Sequence, residues 1–391
     1  MIFLCGMVTV EDQAHSHRIP GSSSCNFKFV LESLIIRATA PPHRPYLLSA
    51  PGRGVRRAAR GFIMRNARGG NVRRNQPTGF VDSLLTDLGG PRSAALLAKL
   101  DAATPWLQLA APIRAMPEYN HLGAGRVPWD AVLMLKCLML QKWFNLSDPG
   151  LEEALKDRIS FRVFVGLSFT DTTPDETTFV RFRARLREAN MHDAIFDAVV
   201  KHIENKGFLV KAGTMIDATI LQAPRGRPRE GGTTTRDQDA SFTTKHGVPH
   251  HGYKGHIAVD MSGIVVEYRF GTAKAADSDS IDALTMHEKT IVLADSAYTS
   301  AARREELRSR GVVDGICYKR VRGQAELYPW QARWNNLVAP LRAGVEHVFA
   351  MMKQQLGFRR VRYRGRQRNM FDFAMILAAC NIKKSLSLRA V

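Results

Sequence analysis

The pattern of apolar and polar residues divides the chain into a helical part and a part with strands. Apolar residues between 78 and 205 recur at helical spacing. Within this part, Trp129–Trp143 is apolar on nearly every side, which predicts a buried central helix. After Gly207 the spacing becomes strand-like, with short apolar segments separated by polar ones. The pattern predicts an all-helical domain followed by an α/β domain with a mixed sheet.

Helix start signals refine the first part. The pair Asp148–Pro149 predicts an N-cap followed by proline at the first helical position. Thr173–Glu176 resembles a capping box that opens a further helix. That helix carries Arg181, Arg183 and Arg185, and a basic helix after several short ones resembles a helix-turn-helix arrangement. We expect these arginines to contact DNA; the alternative is an ordinary solvated face.

The second part alternates strands with helices. Residues 225–245 are polar and rich in Gly and Thr, which predicts a loop. The predicted strands are Gly213–Leu221, Tyr253–Asp260, Ile264–Thr272, Thr290–Asp295 and Val312–Tyr318, and the predicted helices are Asp277–His287, Ser300–Arg310 and Pro340–Gly357.

The first segment differs from the rest in composition. Residues 1–75 contain 12 basic and 3 acidic residues, a net charge of +9, and show no sustained periodicity. Such a segment buries too little apolar surface to order itself, which predicts a disordered basic arm. The alternative is an over-extended gene start, with translation beginning at Met64. The predicted domains are therefore residues 1–75, 78–205 and 210–386.

Charge and cysteine content limit the class of protein. The net charge of +20 favours a polyanionic partner, nucleic acid before membrane, although an arginine-rich genome is an alternative cause. The sequence has no apolar run of membrane-spanning length. Its five cysteines are scattered without metal-ligand spacing, which fits a reducing cytosol. We expect a cytoplasmic protein that binds nucleic acid.

Three acidic residues lie in otherwise apolar segments. Asp217 is inside a predicted strand, Asp295 ends another, and Glu346 is on the last predicted helix. Burying an unpaired carboxylate costs several kcal/mol, so such a group pairs, shifts its pKa or binds a metal. The alternatives are a salt bridge from Asp217 to Lys211, a capping role for Asp295, and an i, i+4 surface pair between Glu346 and Arg342.

A metal site accounts for all three acids together. Mg²⁺ prefers carboxylate and water oxygens. Two Mg²⁺ (or Mn²⁺) ions about 3.5–4 Å apart would clamp the attacking and leaving oxygens of a phosphodiester displacement. Asp217 would bridge both ions, with Asp295 on one and Glu346 on the other. The order strand-Asp, strand-Asp, helix-Glu is that of a ribonuclease H-like nucleotidyl-transfer core.

The neighbours of these acids resemble a known family. Asp295-Ser-Ala-Tyr298 and Arg342-x3-Glu346-x6-Lys353 resemble signature blocks of bacterial insertion-sequence DDE transposases of the insertion-sequence-five group. The segments 143–186 and 250–260 are also similar to that group, so the likeness covers about residues 78–386. One departure is Ala339, where relatives often have tyrosine.

The resemblance implies a DNA transposase with catalytic, metal-binding Asp217, Asp295 and Glu346. Tyr298, Arg342 and Lys353 would then contact DNA near the cleaved end. The implied partners are double-stranded DNA at the terminal inverted repeats and at the target, bound by a homodimer. The implied location is the bacterial cytoplasm, in association with the nucleoid. A structure-specific nuclease of the same fold and a catalytically inactive DNA-binding derivative are the alternatives.

Two further basic features suggest phosphate contacts. Lys254 lies in the strand predicted beside Asp217, although a solvated lysine is an alternative. Residues 359–368 contain six arginines, and a solvated loop is again the alternative. The arginines of this segment that we expect to contact DNA are Arg359, Arg360, Arg362 and Arg364.

Overall fold

The computed structural model describes part of the chain. The described residues are 92–119, 127–209, 212–224, 226, 235–245, 247–275 and 278–388. The predicted basic arm, residues 1–75, and the beginning of the predicted helical domain lie outside them. None of the described helices combines the length and apolar character that a membrane span needs.

The described residues from 92 to 209 form helices joined by turns, which confirms the helical N-terminal region. The helices are α1 Arg92–Ala103, α2 Trp106–Leu109, α3 Ala111–Arg114, α4 Ala131–Trp143, α5 Asp148–Asp157, α6 Ile159–Val165, α7 Glu176–Glu188 and α8 Met191–Asn205.

Helix α4 is the centre of this region. All of its residues except Val132 are buried, as the uniformly apolar sequence predicted. Asp130 caps its first turn by accepting hydrogen bonds from the backbone N–H groups of Val132 and Leu133. Aromatic rings pack edge to face around its end, where the Trp143 ring centroid lies 5.9 Å from that of Phe164.

Two helix caps differ from the prediction. The N-cap of α5 is Ser147, whose hydroxyl accepts from the Gly150 N–H at 3.1 Å, and Asp148 is the first helical residue. The N-cap of α7 is Asp175, which accepts from the Thr178 N–H at 2.6 Å. Pro149 is therefore the second helical residue of α5, and Pro174 precedes the N-cap of α7.

The second part contains a six-stranded mixed sheet, which confirms the predicted fold class. The strands are β1 Thr214–Gln222, β2 Ser241–Lys245, β3 Val248–Asp260, β4 Val265–Thr272, β5 Ile291–Ala294 and β6 Val313–Ile316. Strand β3 pairs antiparallel with β1 along one edge. Its other edge is shared by β2 and β4. Strands β5 and β6 continue the sheet beyond β1 in parallel orientation.

Within the described part of the chain, four helices cover this sheet. They are α9 Ser278–Thr285, α10 Ala301–Ser309, α11 Pro329–Ala350 and α12 Arg366–Ser385. Alternate residues of a strand point to opposite faces. Met215 and Asp217 therefore share a face, here called the acidic face, and Ile216 is on the opposite face. Helix α11 crosses the acidic face at Gly344, where an added Cβ would lie 2.8 Å from the Met215 side chain.

Helix α12, absent from the sequence-based prediction, joins the two parts of the molecule. Its residues from Phe371 to Ile382 are buried. The indole N–H of Trp143 on α4 donates to the Ala379 carbonyl at 3.0 Å. Lys142 forms an ion pair with Asp372, and both side chains are almost fully buried. The helical region and the sheet thus share a continuous interior.

Two other elements also depart from the expectation. Strand β2 lies in the segment predicted as a loop. Helix α11 begins at Pro329, well before the predicted start at Pro340, and contains Pro340 in its interior. After Ala350 the helix widens into a π-helical turn, Met351–Gln355. This turn places Lys353 outside the regular α-helical spacing from Arg342.

Candidate active site

Asp217 and Asp295 are brought together by strand register. Strands β1 and β5 are parallel, and Ile216 is paired with Ala294 as their last partners. Asp217 and Asp295 are the next residues of each chain segment, so the two carboxylates meet where β5 ends. The carboxyl end of a parallel strand is where ligands bind in open α/β sheets.

The Asp217 carboxyl is largely buried, and its electrostatic environment is mixed. Burial raises its pKa above the ordinary value, and the neighbouring Asp295 carboxylate acts in the same direction. The Ala218 N–H, which donates to Oδ1 at 2.7 Å, opposes the rise in pKa. Arg342 and Lys245 oppose it as well. A bound cation would favour the ionised form of this carboxyl.

Asp295 is half-exposed and lies against Arg342. Its Oδ1 accepts from the Ser296 N–H at 2.6 Å, so it caps the short turn that follows β5. Arg342 Nη1 lies 3.7 Å from the same Oδ1 and 4.0 Å from the Cys317 sulfur. Arg342 is thus an ion-pair partner of Asp295 and not the surface partner of Glu346 weighed from the sequence.

Glu346 is exposed on α11, one helical turn after Arg342. Among the described residues, no three His, Cys, Asp or Glu side chains are close enough to form a metal site. Strand register brings Asp217 and Asp295 together, and the described residues do not form a cluster of three ligands with Glu346. Asp217 and Asp295 fit a divalent cation, because the cation supplies the positive charge that a buried carboxyl beside a second carboxylate lacks.

Lys353 lies in the π-helical turn and is half-buried. Burial lowers the pKa of its ammonium group, and the nearby Lys245 lowers it further. Asp217 acts in the opposite direction, which places Lys353 within electrostatic range of the candidate site. Lys245 was missed in the sequence because its segment was interpreted as a loop; the alternation in residues 241–245 is short and polar.

Two residues expected at the DNA interface lie on the opposite face of the sheet. Lys254 pairs with Ile220, and its ammonium donates to the Ala275 carbonyl at 3.0 Å. Tyr298 is only 2% exposed and packs with Ile216 and Ala294 in the core. Tyr298 therefore presents no surface to DNA in this fold, and Lys254 does not share the face of Asp217. Strand alternation accounts for the position of Lys254, and Tyr298 is buried in the short turn that follows β5.

The position of Arg183 also differs from the expected contact with DNA, because its side chain is buried. It is 6% exposed, and its Nη1 donates to Asp148 Oδ1 at 2.6 Å. Its second Nη also donates to the Asp148 carboxylate, so the pair is bidentate within the helical region. Arg181 and Arg185 are exposed on the same helix, so these two alone of the three are accessible to DNA.

The arginine-rich segment follows the π-helical turn. Arg359 Nε donates to the Lys353 carbonyl at 3.1 Å. Arg360 is paired with Gln222 in a parallel bridge, next to the end of β1. Arg362 donates to the Leu146 carbonyl at 2.6 Å, which ties this segment to the helical region. Arg364 is exposed.

Comparison with known proteins identifies the family. Residues 210–382 match the family model described as "Transposase DDE domain". Residues 90–185 match the model described as "Transposase domain (DUF772)". Among solved structures, the chain is similar to one described as a cryo-EM structure of the piggyBac transposase synaptic complex with hairpin DNA. The TM-score is 0.38 and the identity 11%, over 74% of this chain and 73% of the other.

The two matched domains follow one another along the chain and together include every described helix and strand except α8 and the last three residues of α7 and of α12. The DDE domain contains the carboxylate pair and Glu346. DDE transposases are divalent-metal-dependent enzymes, which agrees with a site built from carboxylates. The chain is a DNA transposase of the DDE family, of the type that insertion sequences encode.

Proposed function

We propose that Asp217, Asp295 and Glu346 are the catalytic carboxylates of this transposase. The observation that carries the proposal is the register of β1 and β5, which sets Asp217 and Asp295 side by side. Glu346 is the third member by its place one turn after Arg342, whose guanidinium already lies 3.7 Å from Asp295.

The three carboxylates would hold two Mg²⁺ or Mn²⁺ ions. When bound, such ions supply an activated oxygen nucleophile and stabilise the leaving oxygen of the phosphodiester. Asp217 would hold these ions, because it is the more buried of the two aspartates and a bound cation would favour its ionised form. Asp295 is half-exposed and available to one ion, while Arg342 restrains its orientation.

The substrate we propose is double-stranded DNA at the terminal inverted repeats of the element. The chain would cleave the ends and join the 3′-hydroxyls to target DNA. Arg342 and Lys353 would contact phosphates beside the carboxylates. Arg181 and Arg185 would contact the duplex from the helical region, together with the exposed arginines of residues 359–368. We further propose a homodimer on DNA and membership of the insertion-sequence-five group.

Cleavage and strand transfer on duplexes carrying the borders of the element test this proposal. Asp217→Asn and Asp295→Asn should abolish both reactions in Mg²⁺ and in Mn²⁺. The control is Glu305→Gln, because Glu305 is exposed. Arg183→Lys is unsuited as a control, because Arg183 is buried and its replacement disturbs the core. Full activity of Asp217→Asn would overturn the assignment. Cleavage without strand transfer would indicate a nuclease.

A further inference from the structure

Strand β1 has an uncovered edge beside the carboxylate pair. Strand β5 pairs with β1 only as far as Ile216, and the next bridge on that edge is Gln222 with Arg360. Between them, within the described residues, no strand covers the β1 edge. An open sheet edge presents unpaired backbone N–H and C=O groups. Such an edge forms a concavity that suits anions when positive side chains surround it.

A pocket of about 540 Å³ lies along this edge. Thr219 and Ile220 of β1 form part of its wall, two and three residues after Asp217. Four basic side chains line it, and no aspartate or glutamate does so among the described residues. The four are Lys245, Lys353, Arg359 and Arg360.

The lining of the pocket gathers four cations, and Asp217 lies within electrostatic range of two of them, Lys245 and Lys353. None of the four has an ion-pair partner among the described residues. Lys245 and Arg359 both depress the pKa of Lys353, which shows that the positive charges act on one another. Like charges held together cost free energy unless a polyanion neutralises them. The pocket is therefore adapted to a ligand with several negative charges.

A second pocket continues the first one past the end of β1. An adjoining pocket of about 320 Å³ shares Gln222, His250 and Arg360 with the first and is also lined by His251. His251 is 2% exposed, and neither of its ring nitrogens has a hydrogen-bond partner among the described residues. Buried polar atoms in native proteins normally have partners. A ligand in this groove would provide one.

We infer that the open edge of β1, with Lys245, Lys353, Arg359, Arg360 and His251, is a track for a single DNA strand that continues from the scissile phosphate. A pocket of about 540 Å³ accommodates a short length of the backbone of one strand. A duplex is too large for this pocket, because its major groove alone is about 12 Å wide. The assignment rests on the proposed function for the position of the scissile phosphate. It adds Lys245 and His251 on the β2–β3 hairpin as strand-positioning residues.

Binding without divalent metal tests the track separately from catalysis. The probes are a blunt mixed-sequence duplex and the same duplex with a short single-stranded extension at its 3′ or its 5′ end. The variant is Lys245→Gln/Arg360→Gln. The matched control is Lys201→Gln/Arg308→Gln, which removes two exposed positive charges elsewhere.

The extension should tighten binding by the wild-type chain and by the control. In the track variant this gain should disappear. The slope of log K against log salt should also fall by about 1.4, because each single-strand phosphate that a side chain neutralises accounts for roughly 0.7. His251→Phe should reduce the gain from the extension. Lys245→Gln alone, at an exposed hairpin position, provides the same test if the double variant does not fold.

Equal salt slopes for the track variant and the control would overturn the inference. Activity assays identify the strand: loss of end cleavage assigns the track to the element strand, and loss of strand transfer alone assigns it to the target strand. Asp217→Asn should still bind the extension. If Asp217→Asn cleaves DNA, the catalytic assignment fails while the binding result stands.

Discussion

Lys142 of α4 and Asp372 of α12 form an ion pair in the interior that the helical region shares with the catalytic domain. Burial lowers the pKa of Lys142, and Asp372 acts to raise it. The second carboxylate oxygen of Asp372 is buried without a hydrogen-bond partner among the described residues. Removing one member of such a pair leaves an uncompensated buried charge.

Breaking this pair should lower the stability of the helical region and of the catalytic domain together. We expect Lys142→Met to reduce the free energy of unfolding by about 3–5 kcal/mol, because the Asp372 charge is left alone. The double variant Lys142→Met/Asp372→Leu should lose less than this single variant, because no charge remains buried. Urea denaturation followed by circular dichroism measures both, and additive losses would contradict the coupling.

Asp217→Asn should raise the thermal stability of the metal-free chain at neutral pH. The folded-state pKa of Asp217 is raised, so the folded protein holds this proton more tightly than the unfolded chain does. The penalty for burying the charge is present above the raised pKa and disappears as pH falls below the unfolded value of about 3.9. The stabilisation by asparagine should therefore shrink on acidification.

The same variant should lose its thermal response to divalent metal. A ligand at 100 times its dissociation constant stabilises the folded state by about 2.7 kcal/mol. We expect Mg²⁺ or Mn²⁺ to raise the melting temperature of the wild-type chain and to leave Asp217→Asn unchanged. An equal rise in both proteins would locate metal binding elsewhere.

Glu346→Gln should separate catalysis from stability. Glu346 is exposed, so its replacement should change the free energy of unfolding by less than about 0.5 kcal/mol. Activity should nevertheless fall by at least about 100-fold if the carboxylate holds metal. Glu305→Gln, an exposed change on α10, is the matched control for both measurements. Retained activity in Glu346→Gln would remove this residue from the site.

The arginines of α7 should divide into two classes. Arg183→Met should lower the free energy of unfolding by about 3–5 kcal/mol, because it leaves the Asp148 carboxylate without its ion-pair partner. Arg181→Gln should fold normally and reduce the salt slope of duplex binding by about 0.9 if this side chain contacts a phosphate. An unchanged slope would show that the exposed face of α7 is merely solvated.

Hydrophobic periodicity predicted the elements that are buried on all sides or that consist of short apolar strands. Helix α4 is apolar on all sides, and strands β1 and β5 are short apolar segments, so each was found close to its observed bounds. Strand β2 was not predicted, because its residues are mostly exposed and polar. Helix α12 escaped because it begins in the arginine-rich segment, where charge indicated a DNA-binding loop.

The site was predictable in part. The types and positions of Asp217 and Asp295 indicated metal chemistry, and strand register places them together. The burial of two other residues was not visible in the sequence. Arg183 was assigned to DNA as one of three arginines on a helix, but it pairs with Asp148 inside the helical region. Tyr298 was assigned to DNA by the family resemblance, but it packs in the core below the sheet. The cations around the β1 edge come from two segments far apart in the chain, Lys245 on β2 and residues 353–360, which no local pattern connects.

The pairing of β1 with β5 has a consequence for the timing of synthesis. Asp217 emerges from the ribosome long before Asp295, and Arg342 and Glu346 follow on α11, after β6 is complete. The carboxylate pair forms when β5 docks on β1, and the helix that restrains it arrives later. A partly synthesised chain that ends before α11 thus has the exposed arginines of the helical region but lacks Arg342 and Glu346, so the proposed set of catalytic carboxylates is complete only after α11 has been made.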